Sequence, residues 1–436
     1  MGRPKAENFA LMGVTSIVVG NCGGSEQDLS SFFDKVDGKA SINVASLVGH
    51  NTVRRQAMGG NFDREPTPAE LDKMRQLVRK AMDDGAVGLS TGLIYLPGTF
   101  AKTEEIVELA KEAAKADGIY ASHMRSEGNG IFRAIEEVMR VSREAGIRAQ
   151  ISHIKLSGNA MWGRADEVLA LVEKGRSEGL DITQDQYMYT ASSTGISTLI
   201  PSSAREGSLA DFLKRIETPE GKARVVESMK TGLKSTGRTS YAYAFVASYS
   251  KDKSYNGKNI EALAKEKRGS DSLDAQIDLI LEIHKNGGAG GVFHGMSEDD
   301  LLKFLAHPNT MIASDSGVRD PGESVPHPRG YGNNARLLGR YVQEKGALRL
   351  EDAVRRMTSL PAATFGLKNR GLVREGAWAD LVVFDPAKVQ DKATYEQPHQ
   401  YATGIDWAVV NGTVLVREGV QSDNLPGRAL RLGKGR

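Results

Sequence analysis

The sequence contains a single cysteine, Cys22, in 436 residues, so no disulfide can form within the chain. So little cysteine is typical of proteins kept in the reducing cytoplasm, and this is the location we expect. No apolar run approaches the roughly 18 residues of a membrane-spanning helix. The N-terminal residues also lack the apolar core of a secretory signal. These absences exclude a disulfide-stapled secreted domain and predict no membrane association.

An excess of charge of either sign is also absent. Lys and Arg total 57 and Asp and Glu total 55, which leaves a formal net charge of +2. This balance gives no electrostatic basis for binding nucleic acid or an anionic membrane, so we expect a small-molecule partner. The glycine-rich stretch 287–291 lacks the Gly-Lys-Ser/Thr ending of a phosphate loop, which removes support for nucleotide binding. The composition leaves the oligomeric state open.

What the sequence does contain is a regular alternation of short apolar runs and helical stretches over about 320 residues. The runs end in polar or glycine residues, as expected for parallel strands buried on both faces. They lie at 16–20, 42–50, 86–92, 119–124, 149–155, 180–187 and 310–317. Between them, a capping box that begins at Thr67 with Pro68 at the first helical position predicts one of the helices. This pattern indicates an α/β fold.

A doubly wound sheet and a closed barrel both fit the alternation. Chemically reactive side chains follow several of the predicted strands, namely Cys22, His50, His123, His153 and Asp315. A barrel brings such strand ends together on one face, whereas an open sheet spreads them along an edge. The sequence therefore favours a TIM-like (β/α) barrel.

Two regions break the rhythm of strands and helices. We assign residues 1–369 to the barrel, with a charged and mainly helical insertion at about 205–290 that is long enough to act as a lid. Apolar runs around the turn dipeptide Asn411-Gly412 predict a small β domain over 370–425. Residues 426–436 are read as a basic, frayed tail.

The strongest candidates for chemistry are two matched histidines. His123 and His153 each end an apolar run and lie 30 residues apart, about one strand–helix unit. In a barrel they would be neighbours and suit Zn²⁺, which takes nitrogen and sulfur ligands. Cys22, flanked by glycines, would be the third ligand and leave the fourth position open, as in catalytic zinc sites. The alternatives are two hydrogen-bonded core histidines and a cysteine that serves as a small buried hydrophobe.

Asp315 follows the last predicted strand. Beside a metal-bound water, its carboxylate would accept a proton and return it to a leaving amine, although an Asp in this position can also simply cap a loop. A further set of side chains is predicted to line the pocket and hold substrate. These are Tyr95, Lys155, Arg329, Tyr187 and His50.

Several segments resemble one family, the N-acyl-D-amino-acid deacylases (D-aminoacylases) of the amidohydrolase superfamily. The resemblance runs from about residue 4 to 420. It is carried by GVTSIVVGNCG (13–23), GLSTGLIYLPG (88–98), ASHMRSEG (121–128), ISHIKLSG (151–158), ASDSG (313–317) and HPRGYGNNARLLG (327–339).

The resemblance implies a metal-dependent barrel with a small β domain that hydrolyses N-acyl-D-amino acids to a D-amino acid and a carboxylate. It implies that Cys22, His123 and His153 hold one tight Zn²⁺, that a second, weaker ion can bind, and that Asp315 is the catalytic aspartate. Tyr95 and Lys155 match positions that contact the substrate. A cyclic-amide or D-dipeptide amidohydrolase is the alternative enzyme.

One departure from the family stands out. The family's first barrel strand ends in His-x-His, and no His-x-His occurs in this sequence. We therefore expect this strand, its metal ligands and half of the small domain to be missing. The expected consequences are poor expression of this chain and activity of a form extended upstream, and the non-enzyme alternative is an inactive, truncated remnant.

Overall fold

A computed structural model describes residues 2–60 and 62–433 of the chain. Its central feature is a curved run of parallel strands that pair in the order in which they occur in the sequence. The strands are β1 (Ser16–Val19), β2 (Asn43–Ser46), β3 (Val48–Gly49), β4 (Gly88–Gly92), β5 (Ile119–His123), β6 (Arg148–Ile151), β7 (Ile182–Gln186) and β11 (Thr310–Ile312). Because β2 and β3 are two halves of one strand interrupted at Leu47, the run counts seven barrel strands.

Both faces of β2, β4, β5 and β7 are buried, as the apolar runs predicted. Each predicted strand is present, although β6 and β11 end at Ile151 and Ile312, several residues before the predicted ends. Within the described residues, β1 pairs only with β2 and β11 only with β7. The described residues thus supply seven barrel strands, with β1 and β11 at the two ends of the run.

Helices pack on the outer side of the strands. Those of the barrel are α1 (Glu7–Ala10), α2 (Leu29–Val36), α3 (His50–Met58), α4 (Pro68–Asp84), α5 (Thr103–Ala114), α6 (Ile131–Ala145), α7 (Ala165–Ser177), α12 (Glu298–Ala306), α13 (Arg329–Arg336), α14 (Leu350–Met357) and α15 (Ser359–Thr364). The predicted capping box is present at the start of α4: the Thr67 side chain accepts from the Glu70 N–H, and the Glu70 carboxylate accepts in return from the Thr67 N–H. A π-helical segment, Leu337–Glu344, continues α13.

The insertion is larger and less purely helical than predicted. Its helices are α8 (Leu209–Glu217), α9 (Pro219–Ser235), α10 (Ile260–Arg268) and α11 (Leu273–Lys285), and its strands are β8 (Ala191–Gly195), β9 (Ala244–Ser248) and β10 (Gly290–His294). The three strands form an antiparallel sheet in the order β8, β10, β9. Because this sheet and its helices bury an apolar cluster of their own, the insertion begins at about residue 191 rather than 205.

The predicted small β unit is a four-stranded antiparallel sheet. It consists of β12 (Leu381–Phe384), β13 (Ile405–Val410), β14 (Thr413–Arg417) and β15 (Val420–Gln421). The Asn411-Gly412 turn joins β13 and β14 as predicted. The core of this unit also contains Phe9 and Met12 from the start of the chain, which we had assigned to the barrel.

The tail is not frayed over its described part. Ala429 bridges to Val44 in parallel register, the Val44 N–H donates to the Arg428 carbonyl at 2.9 Å, and the Leu430 N–H donates to the Val44 carbonyl at 2.9 Å. Residues 428–430 thus act as a short extra strand beside β2. The prediction of a frayed end is wrong for residues 427–433, because their backbone finds partners on the barrel; residues 434–436 lie outside the described part.

None of the described helices is both long and apolar enough to cross a membrane.

Candidate metal centre and active site

Three side chains predicted as metal ligands converge at the C-terminal ends of their strands. Cys22 lies three residues after β1, His123 is the last residue of β5, and His153 lies two residues after β6. One potential ligand atom from each lies within 4.8 Å of the other two. The Cys22 Sγ is 3.6 Å from the His153 Nε2, and the two imidazole rings meet edge to face with centroids 4.3 Å apart.

The local backbone explains how these atoms come so close. Cys22 has φ of 55°, His153 38° and Asp315 46°, a left-handed conformation that costs free energy outside glycine and is concentrated at functional sites. At Gly92, the end of β4, a Cβ atom would collide with the Cys22 carbonyl oxygen. Only glycine there allows the Cys22 loop to lie against the strand, which brings the thiol to the centre of the barrel mouth.

The three residues fit a metal ion on two observations. First, both ring nitrogens of His123 are buried and have no hydrogen-bond partner within the described chain, although buried polar atoms are normally paired. Second, tetrahedral zinc, with bonds of about 2.0 Å to nitrogen and about 2.3 Å to sulfur, places nitrogen and sulfur ligands about 3.5 Å apart. The 3.6 Å between the Cys22 Sγ and the His153 Nε2 is close to this value. A metal ion would therefore give the free His123 nitrogen a partner.

Burial opposes the charge of His153, but the nearby Asp315 and Glu127 prevail and raise the pKa of His153 to about 10, so the metal-free ring is a cation. For the other two residues of the metal-free cluster, burial dominates. It raises the pKa of the Cys22 thiol, against the pull of the neighbouring His153. It lowers the pKa of His123 to about 3, with help from the positive charge of His153. His123 is therefore a neutral imidazole at physiological pH, which is the form that binds metal ions.

Asp315 and Arg329 form an ion pair at the same mouth, with 2.8 Å between a carboxylate oxygen and a guanidinium nitrogen. Burial by itself would raise the pKa of Asp315, but Arg329 and the nearby His153 hold it below its usual value. The guanidinium also lies over the Tyr187 ring, 4.4 Å from its centroid, and the Lys155 ammonium lies 5.6 Å from the same centroid. Two cations and one carboxylate thus surround one buried aromatic ring.

Tyr95 and the insertion complete one wall. The Tyr95 ring packs against His123 with centroids 4.8 Å apart, and its oxygen accepts a hydrogen bond of 3.2 Å from Thr194 in β8. Arg329 donates at 3.4 Å to the Ser193 carbonyl, also in β8. Through β8, its first strand, the insertion therefore contacts two predicted substrate-binding residues, Tyr95 and Arg329. The predicted bounds of the insertion, about 205–290, had left β8 outside the insertion.

One substrate-binding prediction needs correction. His50 does not line the mouth: it is fully buried at the start of α3, where its ring nitrogens contact Glu105 at 2.7 Å and Asn51 at 3.2 Å. Arg329 is 4% exposed, begins α13 and is paired with Asp315. Lys155 lies beyond the end of β6, although its ammonium does lie on the His153 side, 2.8 Å from the Nδ1.

Two residues of the site were missed by sequence reasoning. Glu127, in the loop after β5, approaches His153 Nδ1 to 2.8 Å and forms an ion pair with Lys155. Asp185 in β7 accepts a hydrogen bond of 2.7 Å from the His153 N–H, and burial raises the pKa of Asp185 to about 6. Glu127 follows His123 by four residues, and Asp185 lies inside a predicted strand. A search for carboxylates near the predicted strand ends would have found both residues.

Comparison with known proteins identifies the family. The model of the amidohydrolase family matches residues 283–416. A D-aminoacylase of Alcaligenes xylosoxydans xylosoxydans is 35% identical over 96% of this chain and 81% of its own length. The N-acyl-D-glutamate deacylase of the same organism is 33% identical over 98% of this chain and 82% of its own length. This chain belongs to the N-acyl-D-amino-acid deacylase family of amidohydrolases.

The solved structures agree with this assignment. The crystal structure of the N-acyl-D-glutamate deacylase from Bordetella bronchiseptica, bound to zinc and a phosphonate mimic of the tetrahedral intermediate, superposes with a TM-score of 0.81. It is 31% identical, and the match covers 99% of this chain and 85% of that one. The predicted family and fold, a TIM-like barrel with a small β domain, are confirmed, and the chain is a metal-dependent hydrolase of amide bonds.

Proposed function

We propose that this deacylase hydrolyses N-acyl-D-amino acids at a zinc ion held by Cys22, His123 and His153, with Asp315 as general base and general acid. The observation that carries the proposal is the meeting of one thiol and two imidazoles, and neither nitrogen of the His123 imidazole has a hydrogen-bond partner among the described residues. A bound zinc ion supplies a polarised scissile carbonyl and a more acidic water. A second, weaker ion stays a prediction.

The chain's own groups then move the proton. The ionised Asp315 carboxylate accepts a proton from the attacking water as the water oxygen adds to the acyl carbon. Asp315 returns this proton to the amide nitrogen as the C–N bond breaks, which releases the D-amino acid and a carboxylate. Arg329 keeps the carboxylate charged and oriented before the reaction, because it lies 2.8 Å away.

The two cations beside Tyr187 are the groups we assign to the carboxylate of the substrate. Lys155 and Arg329 both lie on the Tyr187 ring, so a substrate carboxylate bound there would face two cations. Tyr95 packs on His123 and is placed to orient the acyl group. Because its ring nitrogens are engaged elsewhere, His50 is not part of this assignment.

The test is a substrate panel with metal analysis on the same preparations. We expect release of the free amine from N-acetyl-D-methionine or N-acetyl-D-glutamate, little from their L forms, and none from hydantoin. Wild-type protein should retain about one zinc ion per chain after dialysis. The variants Cys22→Ala and His123→Ala should lose both the zinc and the activity, whereas His284→Ala, a histidine bonded to Ser197 in the insertion, should keep both. Hydrolysis of hydantoin alone would contradict the proposal.

A further inference from the structure

Glu127 is a largely buried carboxylate that contacts His153, one of the predicted metal ligands, but is not itself part of the three-residue cluster. Its side chain is 14% exposed, and its Oε1 lies 2.8 Å from the Nδ1 of His153. The same oxygen forms an ion pair with the ammonium of Lys155. The other nitrogen of His153, Nε2, faces Cys22. Glu127 is therefore placed behind His153, on the side opposite to the thiol.

The Nδ1 of His153 has two neighbours at the same distance, and their chemical demands are opposite. The Lys155 Nζ is also 2.8 Å away. An ammonium can only donate a hydrogen bond, so it favours an Nδ1 that bears a lone pair. An ionised carboxylate can only accept, so Glu127 favours an Nδ1 that bears the proton. In the neutral ring, which is the form that binds a metal ion, the balance between these two neighbours decides which nitrogen carries the hydrogen.

Only one of the two tautomers can bind a metal beside Cys22. A metal ligand offers a lone pair, so Nε2 must be free of hydrogen and Nδ1 must carry it. We propose that Glu127 is the positioning residue that holds His153 in this tautomer and at the same time keeps the Lys155 ammonium from taking over Nδ1. The inference rests on the metal centre of the proposed function and adds a residue that contacts neither metal nor substrate.

The proposal is tested by zinc affinity, measured as competition with a chromogenic chelator on purified protein. Glu127→Ala leaves Lys155 as the one remaining partner of Nδ1 among the described residues, so we expect zinc affinity to fall about 10- to 100-fold. Lys155→Met should bind zinc as tightly as wild type or more tightly. The double variant Glu127→Ala/Lys155→Met removes the competitor as well, and it should recover a large part of the lost affinity.

Two controls separate this role from a general structural one. Glu112→Ala removes another buried glutamate with two basic partners, Arg79 and Lys115, and should leave zinc affinity unchanged. Glu127→Gln keeps the size of the side chain but not its charge, and should give a loss smaller than that of alanine. Thermal midpoints of the zinc-free proteins report whether each variant is folded.

The experiment distinguishes a failure of the proposed metal centre from a failure of the role assigned to Glu127. Zinc binding by the wild type tests the metal centre, whereas the ratio of affinities between variants tests Glu127. An affinity of Glu127→Ala equal to that of wild type would overturn the proposal. A double variant as weak as Glu127→Ala would also overturn it, because Glu127 would then not act by opposing Lys155.

Discussion

The carboxylate of Asp315 lies 2.8 Å from the guanidinium of Arg329, and both side chains sit at the mouth of the barrel beside the candidate metal ligands. The pair links the loop after β11 to the first turn of α13. Because Arg329 is 4% exposed, its charge acts on Asp315 with little screening by solvent. The aspartate is thus held in the ionised form that a general base needs.

Replacing Asp315 by asparagine should separate chemistry from metal binding. We expect Asp315→Asn to lower kcat by about 10²- to 10⁴-fold, the usual contribution of a general base, because the amide cannot accept the proton. Zinc content should stay near that of wild type, since Asp315 is outside the three-ligand cluster. Asp320→Asn, an exposed aspartate in the same loop, is the matched control and should keep full activity. Substantial activity in Asp315→Asn would remove the assigned role.

Removing the partner of Asp315 should change the pH dependence. In Arg329→Met, burial of Asp315 is no longer opposed by the cation, so the pKa of Asp315 rises. The carboxylate is then lost to protonation at a higher pH, and the acid limb of the kcat profile should move upward by about one to three pH units. Steady-state kinetics measured from about pH 4 to pH 9 would show this shift of the acid limb, because general bases work near neutral pH. An unmoved acid limb would mean that another group controls it.

Glu105 should matter for stability and not for catalysis. It is an almost fully buried carboxylate held by His50 and Arg54. Burial opposes its charge, but the two partners prevail and lower the pKa of Glu105 below its usual value. Glu105→Gln leaves Arg54 buried without a counter-charge, and we expect the free energy of unfolding to fall by about 3 to 5 kcal/mol.

Glu104, the residue before Glu105 on α5, provides the control. The pH dependence of the stability difference tests whether the charge of Glu105 is responsible. Glu104 is largely exposed, so Glu104→Gln should change the free energy of unfolding by less than about 0.5 kcal/mol. A carboxyl with a lowered folded-state pKa stabilises the protein above its unfolded-state pKa, and this contribution is lost as pH falls. Urea titrations should therefore show the largest difference between Glu105→Gln and wild type at neutral pH. A constant difference down to acid pH would contradict this reading.

The tail beside β2 should be required for full stability. Ending the chain at Pro426 removes the hydrogen bonds to Val44 and the packing of Leu430 and Leu432 against the barrel. We expect the free energy of unfolding to fall by about 2 to 4 kcal/mol, the scale of two partly buried leucines and the lost hydrogen bonds. Ending the chain at Gly433 is the control, and thermal unfolding of the two proteins makes the comparison. Equal melting temperatures would show that the tail is dispensable.

Much of the barrel was predictable because its signals are local. Apolar runs gave the strands, and the capping box at Thr67 gave the start of α4. The metal-ligand candidates were found because Cys22, His123 and His153 all follow such runs and because two matched histidines are unusual. Strand ends in a barrel meet on one face, so local positions in the sequence were enough to predict proximity in space.

The errors came from interactions between distant segments. No local pattern shows that His50 would turn away from the mouth, since its partner Glu105 lies 55 residues further along the chain. Glu127 was missed because its importance depends on the positions of His153 and Lys155. The tail was misread because its basic, polar composition is typical of disorder, whereas its backbone groups are paired with β2.

The pairing of residues 428–430 with β2 has a consequence for the way the molecule is made. Val44 and Ala429 are neighbours in space but lie far apart in the sequence. During synthesis, that flank of β2 stays uncovered until residues 428–430 have left the ribosome, and such long-range contacts form slowly. The nascent protein is thus exposed to mispairing at this flank until those residues arrive, and a chaperone that shields the flank would have its greatest effect before then.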